Sequence, residues 1–217
     1  MLMKTVASSL HHCVVPPSQQ LSAQHPTLIL LHGRGANEED LLSLAPAFDE
    51  RLLIIAPRAP VPFSYGGYTW FDIDEAGIPQ SPQFEESCAK LDVFVADVLR
   101  SYPVDPARLL LFGFSMGAVM SCVMALTHPE LYRGIALNSG YLPEHTSLKY
   151  RWNDIGNLNV SITHGTDDPI IPVEAARRAH QRFSSSPAKV TYKEYAMGHE
   201  ISQQSLADVT RWITGLL

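Results

Sequence analysis

The chain has 217 residues, 46% of them apolar, enough for a sizeable core and the right length for a single α/β domain spanning 1–217. Sixteen basic against 22 acidic residues give a net charge of −6 with neither sign clustered, which argues against a nucleic-acid or anionic-membrane partner. Three widely spaced cysteines, Cys13, Cys88 and Cys122, suggest neither a disulfide framework nor a zinc site.

At the start, Met1 to Leu10 has one lysine and no apolar run of signal-peptide length. No run anywhere is long enough to span a bilayer, so no integral membrane insertion and a reducing, cytoplasmic location are expected. Ser9 to Val15 reads as an edge strand ended by Pro16-Pro17. Thr27 to Leu31 is the first buried strand, and it runs into His32-Gly-Arg-Gly-Ala36. Asn37 is placed to cap a helix from Glu38 to Phe48, whose acidic first turn suits the helix dipole. Leu52 to Ala56 is a further short strand.

Prolines and glycines forbid regular structure from Arg58 to Pro82. That stretch carries Phe63, Tyr65, Trp70 and Phe71, too many aromatics for a solvated linker, and the expectation is an open aromatic groove beside Ser115. Ser81 as N-cap and Pro82 at the first helical position open a long helix. Its buried stripe is Phe84, Cys88, Leu91, Val95, Val98 and Tyr102.

Leu109 to Ala118, Leu-Leu-Leu-Phe-Gly-Phe-Ser-Met-Gly-Ala, joins an unbroken apolar strand to a helix through Gly113-Phe-Ser115-Met-Gly117. A serine on such a strand–helix turn is a nucleophile elbow, and its flanking glycines let strand and helix approach. Strands follow at Arg133–Asn138, Asn159–Thr163 and Lys189–Tyr195, with helices at Val173–Phe183 and Ile201–Leu217. Strands alternating with helices imply an α/β fold, a mostly parallel sheet covered on both faces. The irregular stretch from Tyr141 to Asn157 is too short for a separate lid.

Ser115, an aspartate some fifty residues on, and His199 near the end follow the chain order of α/β-hydrolases. Each comes just past the C-terminal end of a strand, where open α/β sheets hold their sites. Serine needs a base that titrates near neutrality, and the acid fixes that base's tautomer. Asp167 and Asp168 are adjacent. Asp168 is favoured because Pro169 biases its backbone towards an extended form, leaving Asp167 as a solvated or turn-capping neighbour. The N–H groups of Met116 and Arg34 are expected to form the oxyanion hole. The Arg34 side chain either meets an anionic substrate group or points to solvent. His32 and His164 read as hydrogen-bonding residues that shape the loops.

The segments His32-Gly-Arg-Gly-Ala, Gly66-Gly-Tyr-Thr-Trp-Phe-Asp72, Gly113-Phe-Ser-Met-Gly-Ala, His164-Gly-Thr-Asp-Asp-Pro-Ile-Ile-Pro172 and Gly198-His together resemble the phospholipase/carboxylesterase family, which includes the acyl-protein thioesterases. The resemblance implies an α/β-hydrolase with little or no lid, acting on small carboxylic esters or thioesters with no cofactor and no metal. It maps the triad onto Ser115, Asp168 and His199, the family's aspartate being the one before proline, and the oxyanion donors onto Arg34 and Met116. Members often carry Gln where Met116 stands, a change at a position whose backbone does the work.

The expected activity is a serine carboxylesterase for short to medium acyl chains. The alternatives are a long-chain lysophospholipase or acyl-thioesterase and, more remotely, a non-catalytic binding module of the same fold. A homodimer is compatible with either enzyme.

Overall fold

The apolar run Leu109–Phe112 lies at the centre of a seven-stranded sheet, as a segment buried on both faces must. The computed structural model describes residues 5–19, 22–73, 79, 82–144 and 146–217. In chain order the strands are β1 (His12–Val15), β2 (His25–Leu31), β3 (Leu53–Pro57), β4 (Val61–Pro62), β5 (Tyr68–Thr69), β6 (Val104–Phe114), β7 (Gly134–Asn138), β8 (Asn159–Gly165) and β9 (Lys189–Tyr195). The helices are α1 (Gln83–Ser101), α2 (Met116–Thr127), α3 (Val173–Ser184) and α4 (Gln203–Thr214). The main sheet runs β1-β3-β2-β6-β7-β8-β9, parallel except for β1, which pairs antiparallel with β3. A two-stranded hairpin, β4-β5, stands apart.

Alternation along the strands divides the core into two layers. Ile29, Leu31, Leu109, Leu111, Ile135 and Leu137 join the layer formed with α1, α2 and α3. Leu28, Leu30, Leu110, Phe112 and Ala136 face Val209 and Ile213 of α4 and Leu41. The helix α1 buries the expected stripe from Phe84 to Tyr102, with Phe94 added. Pro82 has helical dihedrals (φ −77°, ψ −18°), while Ser81 lies outside the described residues. Among the described residues no helix is long and apolar enough to cross a membrane.

The helix expected from Glu38 to Phe48 is instead a 3-10 helix over Asp40–Ala47. Pro46 lies inside it and has no N–H to donate to an α-helical ladder. Asn37 does cap locally, its side-chain oxygen accepting the Glu39 N–H at 2.8 Å.

The turn from β6 into α2 is where backbone meets backbone. A Cβ on Gly113 would lie 2.2 Å from the Gly117 carbonyl oxygen, and one on Gly117 would lie 1.8 Å from that of Leu31. The ends of β2 and β6 and the start of α2 therefore touch with no side chain between them. Gly117→Ala should cost at least about 2–3 kcal/mol or prevent folding. Gly156→Ala, whose nearest neighbour would be Pro187 at 3.8 Å, should stay within about 0.5 kcal/mol of wild type. Urea unfolding midpoints of the two variants check this.

Candidate active site

Ser115 sits between β6 and α2 with φ 54° and ψ −118°, a left-sided conformation that non-glycine residues adopt only under constraint. Its N–H donates to the Asn138 carbonyl of β7 at 2.9 Å, which anchors the turn across the sheet. Asn138 in turn donates through Nδ2 to Gly113 O at 3.0 Å and accepts from Thr163 at 2.8 Å. The strained turn is thus held from the neighbouring strand as well as by the close contact of Gly117 with β2.

The loops after β8 and β9 bring the other two groups to it. His199 Nε2 lies 2.9 Å from Ser115 Oγ, and Nδ1 lies 2.7 Å from Asp168 Oδ2. With the carboxylate on Nδ1, that nitrogen carries the proton and Nε2 accepts from the serine hydroxyl. Phe114, one residue before Ser115, packs its ring 5.0 Å from that of His199. The other carboxylate oxygen of Asp168, Oδ1, accepts the N–H groups of Ile170 and Ile171 at 2.8 and 2.9 Å. Burial works to raise the Asp168 pKa, but the His199 and backbone hydrogen bonds outweigh it and hold the group below the usual carboxylate value. Asp167 is exposed, and among the described residues its side chain meets only Thr166.

Two further histidines support these loops. His164, fully buried, approaches Ile171 O at 2.8 Å and Asp168 Oδ2 at 3.3 Å through Nε2. His32 takes the Ala59 N–H on Nε2 at 3.0 Å and donates from Nδ1 to Gly33 O at 2.7 Å. Burial lowers its pKa, which suits the neutral ring that this pattern requires.

A cavity of about 560 Å³ opens above Ser115. Among the described residues its wall includes Gly33, Arg34, Asp40, Ile73, Phe114, Met116, Tyr141, Ile170, Ile171 and His199. The loop Gly33–Ala36 borders it, and a Cβ on Gly33 would lie 3.4 Å from that of Ser115. Gly35 and Ala36 donate their N–H groups to Tyr68 O and Gly33 O. The Arg34 and Met116 N–H groups meet no protein acceptor among the described residues. Both are therefore available to an oxygen brought into the cavity.

Among the described residues the expected aromatic groove is not formed. Of Phe63, Tyr65, Trp70 and Phe71, none is among the described residues that line the cavity. Trp70 and Phe71 are completely buried: Trp70 Nε1 donates to His32 O at 2.9 Å, and Phe71 packs edge-on against Phe84 at 4.9 Å. Phe63 lies under the Arg34 guanidinium, and Tyr65 is 90% exposed on the turn between β4 and β5. An aromatic ring satisfies its demand for burial inside the core as well as in a groove, and here the core wins. Trp70 and Phe63 brace the end of β2 and the loop that carries Arg34. Arg34, Ser115, Met116 and His199 line the cavity as expected, whereas Ile73, Phe114, Tyr141, Ile170 and Ile171 were not foreseen, although Phe114 lies inside the serine motif and Ile170-Ile171 follow Asp168-Pro169 directly.

Other chemistry is less well served. Burial raises the pKa of all three cysteines, that of Cys88 to about 12, so none is a thiolate nucleophile at neutral pH. Ligand atoms of Cys13, Glu38 and Glu39 lie within 4.8 Å of one another, but both Glu38 oxygens are already held by Arg58 at 2.6 and 2.5 Å.

A serine held at positive φ on the C-terminal edge of a doubly covered parallel sheet, within reach of a histidine from a late loop, defines an α/β-hydrolase of the serine type. Residues 11–217 match the family described as phospholipase/carboxylesterase, and the chain belongs to that family. It is similar to acyl-protein thioesterase 1 of Candida albicans, with 26% identity over 90% of this chain and 94% of the relative. It is also similar to a probable carboxylesterase of Oryza sativa, with 28% identity over 95% of this chain and 84% of the relative. The crystal structure of a Bacillus cereus carboxylesterase superposes with a TM-score of 0.85 at 22% identity, covering 96% of this chain and 95% of the other. The chain is an enzyme, a carboxylic-ester hydrolase.

The depressed pKa of Asp168 has a measurable consequence. Its stabilising contribution is fully present above the unfolded value of about 3.9 and is lost as pH falls through the lower folded value. Asp168→Asn should therefore be less stable than wild type at neutral pH, and the gap should close progressively below about pH 4. Urea unfolding of both proteins across that range reads the sign directly.

Proposed function

We propose that the chain is a serine carboxylesterase for short to medium acyl chains, with Ser115 as nucleophile, His199 as general base and acid, and Asp168 as the group that orients it. One observation carries the reading: an unbroken hydrogen-bond chain from Asp168 through His199 to Ser115 Oγ, ending in a cavity beside two unpaired N–H groups. As Oγ attacks the ester carbonyl, its proton passes to Nε2 and the positive imidazole is stabilised by Asp168. The carbonyl oxygen becomes an anion and takes the Arg34 and Met116 N–H groups. Collapse of this intermediate breaks the ester bond, and the alcohol leaves with the proton from Nε2. Water then gives a proton to Nε2 and attacks the acyl-enzyme, which releases the acid and restores Ser115. Proton transfer and the two donors suffice for this sequence, so it calls for no cofactor.

The acyl preference is read from the cavity wall. Ile73, Tyr141, Ile170 and Ile171 offer apolar contact, and Ile170 is 67% exposed, which favours an open groove over a deep tunnel. The thioesterase reading draws support from the name of the Candida albicans relative. All of these groups come from one chain, which we read as a single domain over residues 1–217; a homodimer is compatible with that but not needed. Three unbridged cysteines suit a cytoplasmic setting.

Ser115→Ala should fold and lose on the order of 10⁶-fold in kcat, together with labelling by a fluorophosphonate probe. Asp168→Asn should lose roughly 10⁴-fold, whereas Asp167→Asn should keep most of the activity. On p-nitrophenyl esters kcat/KM should rise by at most roughly fourfold per methylene, then flatten at short to medium length. A maximum at palmitoyl length, or faster turnover of palmitoyl thioesters, would transfer the assignment to the thioesterase reading.

A further inference from the structure

The cavity contains one feature that ester hydrolysis itself does not require. Arg34 projects an exposed guanidinium onto the cavity wall and lies 4.5 Å over the ring of Phe63. No carboxylate pairs with it among the described residues. Nearby Arg58 shows the contrast, since both its stacking on Tyr68 and its double hydrogen bond to Glu38 are internal to the protein.

The stack leaves recognition capacity unspent. The ring attracts the cation but takes none of its hydrogen bonds, and no acceptor holds the Arg34 side-chain N–H groups among the described residues. Phe63 is itself fixed, because its N–H donates to Gly67 O and its carbonyl accepts from Gly66, both at 3.0 Å. Gly35 packs against the ring as well, with room for a Cβ only 3.4 Å from Phe63 Cδ1. The charge is thus held on a prepared surface at the end of the side chain whose backbone N–H is the proposed oxyanion donor. A planar fork of this kind matches a carboxylate with two parallel hydrogen bonds.

We propose that Arg34 selects esters that carry a second, free carboxylate, held by the guanidinium while Ser115 attacks the ester group. This deepens the serine-esterase reading and rests on it. Asp40 is the other fixed charge on the cavity wall among the described residues, and it is not ion-paired with Arg34. It repels an anion from its own side of the cavity and so confines the carboxylate to the arginine. His199 is neutral when it acts as base and gains charge only as the reaction proceeds, so it does not compete for the anion in the ground state.

The test is a ratio of kcat/KM values, anionic ester over a neutral ester of similar size. Methyl hydrogen succinate against methyl butyrate places the carboxylate on the acyl side; butyryloxyacetate against propyl butyrate places it on the alcohol side. In at least one pair the ratio should fall roughly tenfold in Arg34→Leu, less in Arg34→Lys, and should rise in Asp40→Asn. In wild type alone, raising NaCl to about 0.5 M should shrink the same ratio, because an exposed ion pair is screened. That arm stands even if a variant fails to fold. Ratios that ignore both salt and the Arg34 substitutions, with the neutral esters still hydrolysed, overturn this inference alone. Hydrolysis of neither ester, with no fluorophosphonate labelling, overturns the esterase reading and the inference with it.

Discussion

Everything at the site depends on one steric constraint: three backbone segments meet where a single methyl group would keep them apart. Gly113 admits the carbonyl of Gly117, and Gly117 admits that of Leu31. That contact sets the start of α2 directly over the end of β2. It therefore fixes the distance between the serine turn and the Gly33–Ala36 loop, the two places from which the free N–H groups come. Strain at Ser115, of order 1–3 kcal/mol, is tolerable because this contact and the Asn138 hydrogen bond leave the turn no alternative.

From that fixed point, order spreads outward through polar groups. Asp168 is surrounded by donors on both oxygens, so its position is determined before any substrate arrives. Its hydrogen bond selects the tautomer of His199, and the ring of Phe114 limits where that imidazole can lie. On the other side, Trp70 and His32 tie the β4-β5 region to the end of β2. The two halves of the site are stiffened independently, one by a carboxylate and one by aromatic packing. Preorganisation of this kind is what makes a weak nucleophile such as a serine hydroxyl useful.

Much of this was legible in the residues. Runs such as Leu28–Leu31 and Leu109–Phe112 permit little besides buried strands, and the α1 stripe from Phe84 to Tyr102 has an unmistakable period. The spacing of Ser115, Asp168 and His199 foretold groups that the fold does bring within hydrogen-bonding distance. What failed was direction. Composition shows that Trp70 and Phe71 must leave water, yet not whether they do so in a groove or in the core. The answer depends on long-range partners, Phe84 and the His32 carbonyl, that no local pattern encodes. The Asp40–Ala47 segment failed for a related reason, since its acidic, leucine-rich start outvoted a single Pro46.

The two borders of the sheet are built differently. On one side β1 offers only four residues and is followed by Pro16-Pro17, so the open hydrogen-bonding row ends almost as soon as it begins. On the other side β9 is seven residues long, and it carries lysines at 189 and 193 on its exposed positions. A second strand docking there would have to bring its own chain alongside those charges. Short length at one margin and charged side chains at the other, Lys189 and the Lys193–Asp208 pair, both discourage continuation of the sheet from molecule to molecule. Growth of the seven-stranded sheet from one molecule to the next is thus disfavoured at both margins.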